Sequence, residues 1–462
     1  MQRNPLAGLG AEIADLRSVH VVGRVTGIDD GLVRIGGVSD SAALGDRVRL
    51  FRRDGATVPG EVVRLGEADV TVLPEALPEG IARGDRAVLK GASGIAPSDD
   101  WIGRVVDPYG RPLDGRPLFP GTAPRDLRAP PPAAARRRAF GQRMETGMAV
   151  FNTFLPLVRG QRMGLFAGSG VGKSKLLGGL ARGAAADVIV IALIGERGRE
   201  LSEFIRDVLG PEGMARAVVV AATSDMSPLA RRRCAWTAMA VAEHFRDAGR
   251  HVLFLADSIT RFAEAHREIA TVSGELPVLR GFPASTGHLI TSLCERAGPG
   301  SDGTGDITAV FSVLVAGSDM EEPIADILRG VLDGHVVLDR EIAERGRFPA
   351  IDVLRSVSRS LPGAANDDEN ALLAQARKLL SLYARSENMI RAGLYSEGQD
   401  AELDQAVRAW PELDAFLAEA GGTPVRASFN HLSVILRRAG VSLSKGDQRP
   451  PVGRDTFAGT AP

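Results

Sequence analysis

The segment MGLFAGSGVGKSKLLGGLAR, residues 163–182, decides the fold of the chain. An apolar strand runs into a glycine-rich loop at 168–172, and Lys173 and Ser174 then open a helix-like stretch. Glycines let successive backbone N–H groups turn toward a phosphate, and the N-terminus of the next helix adds positive potential. Lys173 can reach the β- and γ-phosphates of a nucleotide. The predicted nucleotide-binding residues of this segment are Gly168, Ser169, Gly170, Val171, Gly172, Lys173, Ser174 and Lys175.

Two other apolar runs, VLFLAD and VIVIALIGE, end in the carboxylates Asp257 and Glu196. If these runs are strands of one parallel sheet, their carboxyl ends lie at the same edge as the phosphate loop. Mg²⁺ is therefore predicted to bind the Ser174 hydroxyl directly and Asp257 through water. Glu196 can polarise an attacking water, although its position alone fits an exposed ion pair with Arg197 or Arg199 equally well. Lys175 either contacts a phosphate or is solvated.

Around this segment the sequence predicts a multidomain protein. Short β-rich runs at hairpin spacing predict a small N-terminal barrel. Buried strands alternating with helices predict a central α/β P-loop domain with a mostly parallel sheet, and a helical region follows. The predicted parts are a helix at 1–17, the β-barrel at 18–92, a linker and entry segment at 93–144, the P-loop domain at 145–360, the C-terminal α-helical domain at 361–440 and a disordered tail at 441–462.

The composition excludes several classes of protein. Lys and Arg number 56 and Asp and Glu 57 among 462 residues, a net charge of −1 that argues against nucleic acid as the main ligand. The run 231–233, Arg-Arg-Arg, is predicted to form a solvated or intersubunit face. The two cysteines build neither a disulfide framework nor a zinc site. With no signal peptide and no apolar run near the ~20 residues of a membrane helix, a cytoplasmic protein is expected.

An apolar stripe lies near the N-terminus. Leu6, Leu9, Ile13 and Leu16 are spaced for one face of a short helix. The helix either packs on its own domain or docks a partner.

Longer motifs carry a resemblance to a known family. AGSGVGKS, GERGRE, LADSITRFAEAHREI (255–269) and RFPAIDVLRSVSRS (347–360) together resemble the rotary ATPase family of ATP-synthase catalytic subunits. Within that family, RVVDPYGRPLDG (104–115) and ATSDMSPLARRRCAW (222–236) most resemble the flagellum-specific and type III secretion ATPases. The resemblance covers about residues 15–440. It implies a RecA-like ATPase domain, with ATP as substrate and Mg²⁺ as cofactor.

The resemblance also assigns residues by motif. It implies that Lys173 binds phosphate, that Glu196 activates water and that Arg197 lines the phosphate site. Arg359, which ends SVSR, matches the arginine finger of the family. Such a finger stabilises charge on the transferring phosphoryl group and contributes roughly 10³–10⁵ in rate.

Two aromatic residues match the adenine pocket of the family. Phe348 precedes the PAID motif, where related subunits place a ring against adenine. Tyr395 is expected to complete the pocket. Ordinary core packing is the alternative for both.

The resemblance further implies an oligomer and several partners. One chain carries both Glu196 and Arg359, which predicts a ring of identical subunits, most simply six. The expected partners are ATP, other copies of the chain, a flagellar export regulator and stalk proteins, the export gate at the inner membrane, and export substrates with their chaperones.

Three alternatives to flagellar export remain open at the sequence level. The chain could serve a virulence-type injectisome, which shares the catalytic design. A non-catalytic nucleotide-binding subunit is disfavoured because it would lack Glu196. An RNA-translocating hexamer is disfavoured by the net charge and by the lack of interleaved aromatic and basic residues at 18–90.

Overall fold

The computed structural model of the chain describes residues 19–92, 94–315 and 321–441. The predicted N-terminal helix with its apolar stripe and nearly all of the predicted tail lie outside these residues.

The N-terminal part is a closed six-stranded barrel with strand order β1-β2-β5-β4-β3-β6. Alternate residues of each strand point inward, as in β5, where every second side chain is buried. Val33, Ile35 and Leu50 are among the fully buried residues of its interior. The predicted barrel is confirmed. Its strands are β1 (Val21–Asp29), β2 (Leu32–Gly36), β3 (Arg47–Phe51), β4 (Thr57–Leu65), β5 (Asp69–Pro74) and β6 (Arg86–Gly91).

The central part is an eight-stranded sheet in the order β18-β17-β10-β16-β13-β11-β12-β8. Every neighbouring pair is parallel except β17 and β18 at one edge, so the predicted mostly parallel sheet is confirmed. Its strands are β8 (Arg104–Val106), β10 (Arg162–Ala167), β11 (Val188–Glu196), β12 (Ala217–Thr223), β13 (Val252–Asp257), β16 (Ile307–Leu314), β17 (Gly334–Leu338) and β18 (Ile351–Ser358). Two small ribbons complete the strands, β7 (Gly94–Ile95) with β9 (Arg125–Asp126) and β14 (Pro277–Leu279) with β15 (Phe282–Pro283).

Helices cover both faces of this sheet, and a helical region follows it. Those of the central part are α1 (Ala149–Asn152), α2 (Lys173–Gly183), α3 (Gly198–Glu203), a π-helical turn (Phe204–Leu209), α4 (Gly210–Met214), α5 (Pro228–Asp247), α6 (Ile259–Val272), α7 (Ser285–Glu295), α8 (Pro323–Val331) and α9 (Arg340–Glu344). The C-terminal helices are α10 (Asp367–Arg391), α11 (Ala401–Leu417) and α12 (Val425–Arg438). Two short 3₁₀ turns occupy Asp99–Trp101 and Ala134–Arg136. No helix in the described part of the chain has the length and apolar character needed to cross a membrane.

The segment 93–144, predicted as linker and entry, also supplies an edge strand of the central sheet. Strand β8 pairs in parallel with β12, and Val106 is fully buried there. Arg104 on the same strand forms an ion pair with Asp114 at 2.6 Å, which fixes the turn that follows. The turn-rich composition of this segment concealed a strand of only three residues.

The prediction that the run 231–233 is a solvated or intersubunit face is wrong for Arg232 and Arg233. Both are buried where α5 meets the barrel. Arg232 Nη2 donates to Glu61 Oε1 of β4 at 2.8 Å, and Arg233 Nε donates to the Pro108 carbonyl at 2.9 Å. The run therefore joins the barrel to the central domain, because partners from both compensate the buried charges.

A buried amide joins the central domain to the C-terminal helices. Asn152, fully buried at the end of α1, donates from Nδ2 to the Thr423 carbonyl at 2.6 Å and to Ser428 Oγ at 3.2 Å. Its Oδ1 accepts from Thr146 Oγ1 at 3.0 Å. This one side chain therefore satisfies polar groups on both sides of the junction.

We expect Asn152→Ala to lower the free energy of unfolding by about 1–3 kcal/mol, since it leaves buried polar partners without hydrogen bonds. The change is measured as a lower urea midpoint by circular dichroism. Asn388→Ala on the exposed side of α10 is the matched control, with an expected change within about 0.5 kcal/mol. Equal midpoints for the two variants would contradict this role of Asn152.

Candidate active site

The phosphate loop follows the central strand β10, which lies between β16 and β17. Gly170 and Gly172 have φ values of 80° and 90°, in the left-handed region that favours glycine. A Cβ at Gly170 would have no neighbour within 4 Å, so the loop is open on that side. Helix α2 begins at Lys173, and its first N–H groups lack partners within the helix. The loop and helix therefore present backbone donors suited to phosphate oxygens.

Three charged side chains meet beside this loop, as the sequence predicted. Asp257 ends β13 and Glu196 ends the neighbouring β11, where Leu193 pairs with Asp257. Lys173 Nζ forms an ion pair with Asp257 Oδ1 and lies 3.9 Å from Glu196 Oε1. The side chains of Lys173 and Asp257 are only 11% and 3% exposed. The two carboxylates thus share one largely buried cation.

A bulge at the end of β11 directs Glu196 toward this cluster. The register with β12 shifts between Ile194 and Glu196, and Gly195 between them has a φ of 71°. A bulge adds a residue to one strand and changes the direction of the next side chain. Glycine suits the position because its φ is positive.

The electrostatics of Glu196 differ from those of a surface glutamate. Burial and the neighbouring Asp257 charge raise the pKa of Glu196 to about 7, although the Lys173 ammonium lowers it. A carboxyl group with a pKa near neutrality is suited to accept a proton at working pH.

The sequence reasoning missed Ser312, a residue of this cluster. Ser312 is fully buried on β16, and its hydroxyl donates to Asp257 Oδ1 at 2.7 Å. Because β16 lies between β10 and β13, Ser312 holds the carboxylate from the strand next to the one that leads into the loop. A serine within the otherwise apolar run AVFSVLV was the only available signal.

The other predicted residues of the loop differ in burial. Ser174 is exposed in the first turn of α2, and Val171 is buried beneath the loop. Lys175 is exposed. The Ser174 hydroxyl and the Asp257 carboxylate are oxygen ligands of the kind that Mg²⁺ prefers. In the described part of the chain, no group of three or more His, Cys, Asp or Glu side chains could hold a metal ion.

Phe348 lies against the phosphate loop. A Cβ placed on Gly172 would be 3.2 Å from Phe348 Cδ1, and the phenylalanine is 48% exposed. Its ring thus borders the loop with much of its surface open to a ligand.

Two catalytic residues assigned by resemblance lie outside this cluster. The exposed Arg197 side chain is 3.7 Å from Glu200 Oε1. Arg359 follows the edge strand β18 and is exposed, with Nη2 3.3 Å from the Arg329 carbonyl. Their predicted roles in catalysis stay predictions.

Tyr395 lies between α10 and α11. Its hydroxyl donates to Asp404 Oδ1 at 2.7 Å, and this hydrogen bond raises the pKa of Tyr395 to about 12. Asp404 Oδ2 also accepts from the Gly398 N–H at 2.9 Å. The hydroxyl thus ties down the loop before α11, and its place in an adenine pocket stays a prediction.

A cavity of about 740 Å³ opens on the other side of the loop. Ser169, Thr260, Phe282 and Leu314 are among its lining residues, and Lys173, Glu196 and Asp257 are not. The chemistry therefore centres on the charged cluster rather than on this cavity.

We expect Glu196→Gln to stabilise the nucleotide-free protein above neutral pH. The pKa of Glu196 is higher in the folded chain than in an unfolded one, so its contribution to stability is lost as pH rises from about 4.5 to 7. Glutamine avoids this loss, so Glu196→Gln should raise the free energy of unfolding by about 1–2 kcal/mol at about pH 8 and change it little at about pH 5. Thermal unfolding at both pH values measures the effect, with the exposed Glu203→Gln as control. A gain of the same size at both pH values would contradict the raised pKa.

Comparisons with known proteins support this site. Residues 147–358 match the nucleotide-binding domain of the ATP synthase alpha/beta family, and residues 365–428 match the C-terminal domain of the type III secretion ATPase EscN. The chain is 43% identical to a flagellum-specific ATP synthase of Caulobacter vibrioides, over 94% of this chain and 99% of that protein. A relative of the same description from Salmonella typhimurium is 42% identical, over 88% and 92%.

A solved structure has the same architecture. The assembled ATPase EscN from the enteropathogenic E. coli type III secretion system superposes with a TM-score of 0.82 and 35% identity, over 90% of this chain and all of that one. EscN in complex with its central stalk EscO gives a TM-score of 0.81 and 36% identity, with the same coverage. The chain therefore belongs to the ATP synthase alpha/beta family, in the branch of the flagellum-specific and type III secretion ATPases.

Proposed function

We propose that this chain is the ATP-hydrolysing subunit that energises protein export during flagellum assembly. The observation that carries the proposal is the meeting of Lys173, Glu196 and Asp257 beside a phosphate loop. Relatives described as flagellum-specific, at 42–43% identity over most of the chain, favour flagellar export over the injectisome.

The loop N–H groups and Lys173 bind the β- and γ-phosphates in this mechanism. Lys173 exchanges its carboxylate partners for phosphate oxygens, because the ligand carries more negative charge than either carboxylate. Ser174 and Asp257 would hold Mg²⁺, Asp257 through water. When bound, Mg²⁺ neutralises charge on the phosphates.

Glu196 orients the attacking water and accepts its proton. Its pKa of about 7 lets it exist as a base at neutral pH and still retain affinity for a proton. Once Lys173 turns to the phosphates, the Glu196 carboxylate is directed at the water rather than at an ammonium group.

Arg359 completes the mechanism from a neighbouring copy of the chain. It lies past the edge strand β18 with its guanidinium at the surface, where a neighbour's phosphate site can reach it. A ring of six identical subunits gives each site one such arginine. The solved structure of EscN is of the assembled ATPase, which supports an assembly of copies for this chain as well.

The remaining partners are proposed from the same branch. A stalk protein in the centre of the ring is proposed because EscN is described in complex with its central stalk. We further propose a flagellar export regulator, the export gate at the inner membrane, and export substrates with their chaperones as partners of a cytoplasmic ring. No nucleic acid is proposed, since the net charge is −1 and Arg232 and Arg233 are buried rather than exposed.

We expect Glu196→Gln to bind Mg·ATP and to hydrolyse it at least ~100-fold more slowly, since it keeps the shape and loses the base. Lys173→Ala should lose nucleotide binding or turnover. Phosphate release and calorimetric binding measure the two effects, with the exposed Glu203→Gln as control. In a strain deleted for the gene, the wild-type chain should restore flagellar filaments and Glu196→Gln should not.

Hydrolysis by Glu196→Gln at the wild-type rate would contradict the role given to Glu196. Flagellar filaments in the deletion strain, together with loss of an injectisome, would favour the second function.

A further inference from the structure

The loop that carries Phe348 runs from the end of α9 to the start of β18. Phe348 is 48% exposed and lies beside Gly172 of the phosphate loop. Nothing in this contact alone fixes the ring, because much of its surface is open to solvent. The neighbouring residues of the loop determine where the ring stays.

Arg347, the residue before Phe348, is only 8% exposed despite its charge. Its Nη2 donates to the Ile351 carbonyl at 2.9 Å and its Nη1 to the Pro349 carbonyl at 3.4 Å. The guanidinium thus braces the backbone that follows the phenylalanine. The loop bends around this side chain.

The counter-ion of Arg347 comes from the C-terminal helical domain. Arg347 Nε lies 3.0 Å from Asp414 Oδ1, and Asp414 lies on α11. Removing one partner of a buried pair leaves an uncompensated charge, which is far more costly than losing a surface pair. The position of α11 and the position of the loop are therefore linked through this ion pair.

A second tie acts on the same loop. Arg345 Nη1 lies 3.5 Å from Glu387 Oε1 on α10, and the guanidinium lies 5.6 Å from the Trp410 ring centre. Trp410 stacks on Tyr383 with ring centres 4.2 Å apart, so α11 and α10 are themselves packed together here. Arg345 and Arg347, on either side of Gly346, thus attach the loop to the same pair of helices.

We propose that Arg347 is a positioning residue for the nucleotide base, and that its ion pair with Asp414 lets the C-terminal helical domain hold the Phe348 ring beside the phosphate loop. This inference rests on the proposed function together with the expectation, from the family resemblance, that the base of ATP lies against Phe348. The pair acts on recognition of the base, while the triphosphate is bound by residues 168–174. Affinity for the base therefore depends on the position of α11, and affinity for the phosphates does not.

Two ligands separate these effects in the full-length chain. One is the non-hydrolysable ATP analogue adenylyl imidodiphosphate and the other is inorganic tripolyphosphate, which has no base; both are titrated with Mg²⁺ by calorimetry. We expect Asp414→Asn to weaken binding of the analogue about 3- to 10-fold, which is part of the affinity that stacking on an aromatic ring contributes. The affinity for tripolyphosphate should change less than about 2-fold. Phe348→Ala should show the same selectivity with a larger loss.

A control and a second variant make the test secure. Glu412→Gln removes another ion pair of α11, with Arg438 at 3.2 Å, and should leave the affinity for both ligands unchanged. The double variant Arg347→Met with Asp414→Asn removes both charges of the pair, so no buried Arg347 charge is left without its counter-ion. Its loss of analogue affinity should equal that of a single variant rather than the product of two losses.

The outcomes distinguish the two levels of the account. Equal weakening of both ligands by the Asp414→Asn and double variants would overturn the positioning role. So would an unchanged affinity for the analogue in these variants while Phe348→Ala weakens it. If Phe348→Ala leaves the affinity for the analogue unchanged, the expected placement of the base against Phe348 is itself wrong.

Discussion

The ammonium group of Lys173, held between Asp257 and Glu196, is the interaction on which the rest of the site depends. Each carboxylate ends a buried strand, and two such charges a few ångströms apart repel strongly at low dielectric constant. One cation compensates both. The same arrangement allows Lys173 to change partners when a triphosphate binds with Mg²⁺. The phosphates attract the lysine, and the metal cation replaces its charge beside the carboxylates.

The fold supplies the geometry for this exchange. Parallel strands place β10, β13 and β11 with their carboxyl ends at one edge, and the bulge at Gly195 brings Glu196 into the cluster. The barrel and the helical domain attach to this core through buried polar contacts, at Arg232 and Arg233 on one side and at Asn152 on the other. The helical domain also shares one continuous apolar cluster with the central domain, whereas the apolar interior of the barrel is separate.

Local motifs were readable from the sequence, and contacts between distant segments were not. The phosphate loop and the carboxylates at strand ends follow from residues close together in the chain, and strand ends in a parallel sheet meet by geometry. Ser312 and Asp414 act through residues 55 and 67 positions away. The burial of Arg232 and Arg233 required the barrel to fold against α5, which no local pattern indicates. Tyr395 and Arg359 were assigned by motif, and the single chain shows the surroundings of each but not a nucleotide contact.

The central claim is that one chain holds an incomplete site, with Lys173, Glu196 and Asp257 together and Arg359 apart at the edge of the sheet. The most direct measurement is ATPase activity per chain across a dilution series, with the mass of the assembly determined at each concentration. The account predicts that activity per chain rises with concentration as rings form, and that Arg359→Ala abolishes the rise while the monomer still binds ATP. Constant activity per chain down to a proven monomer would contradict the account.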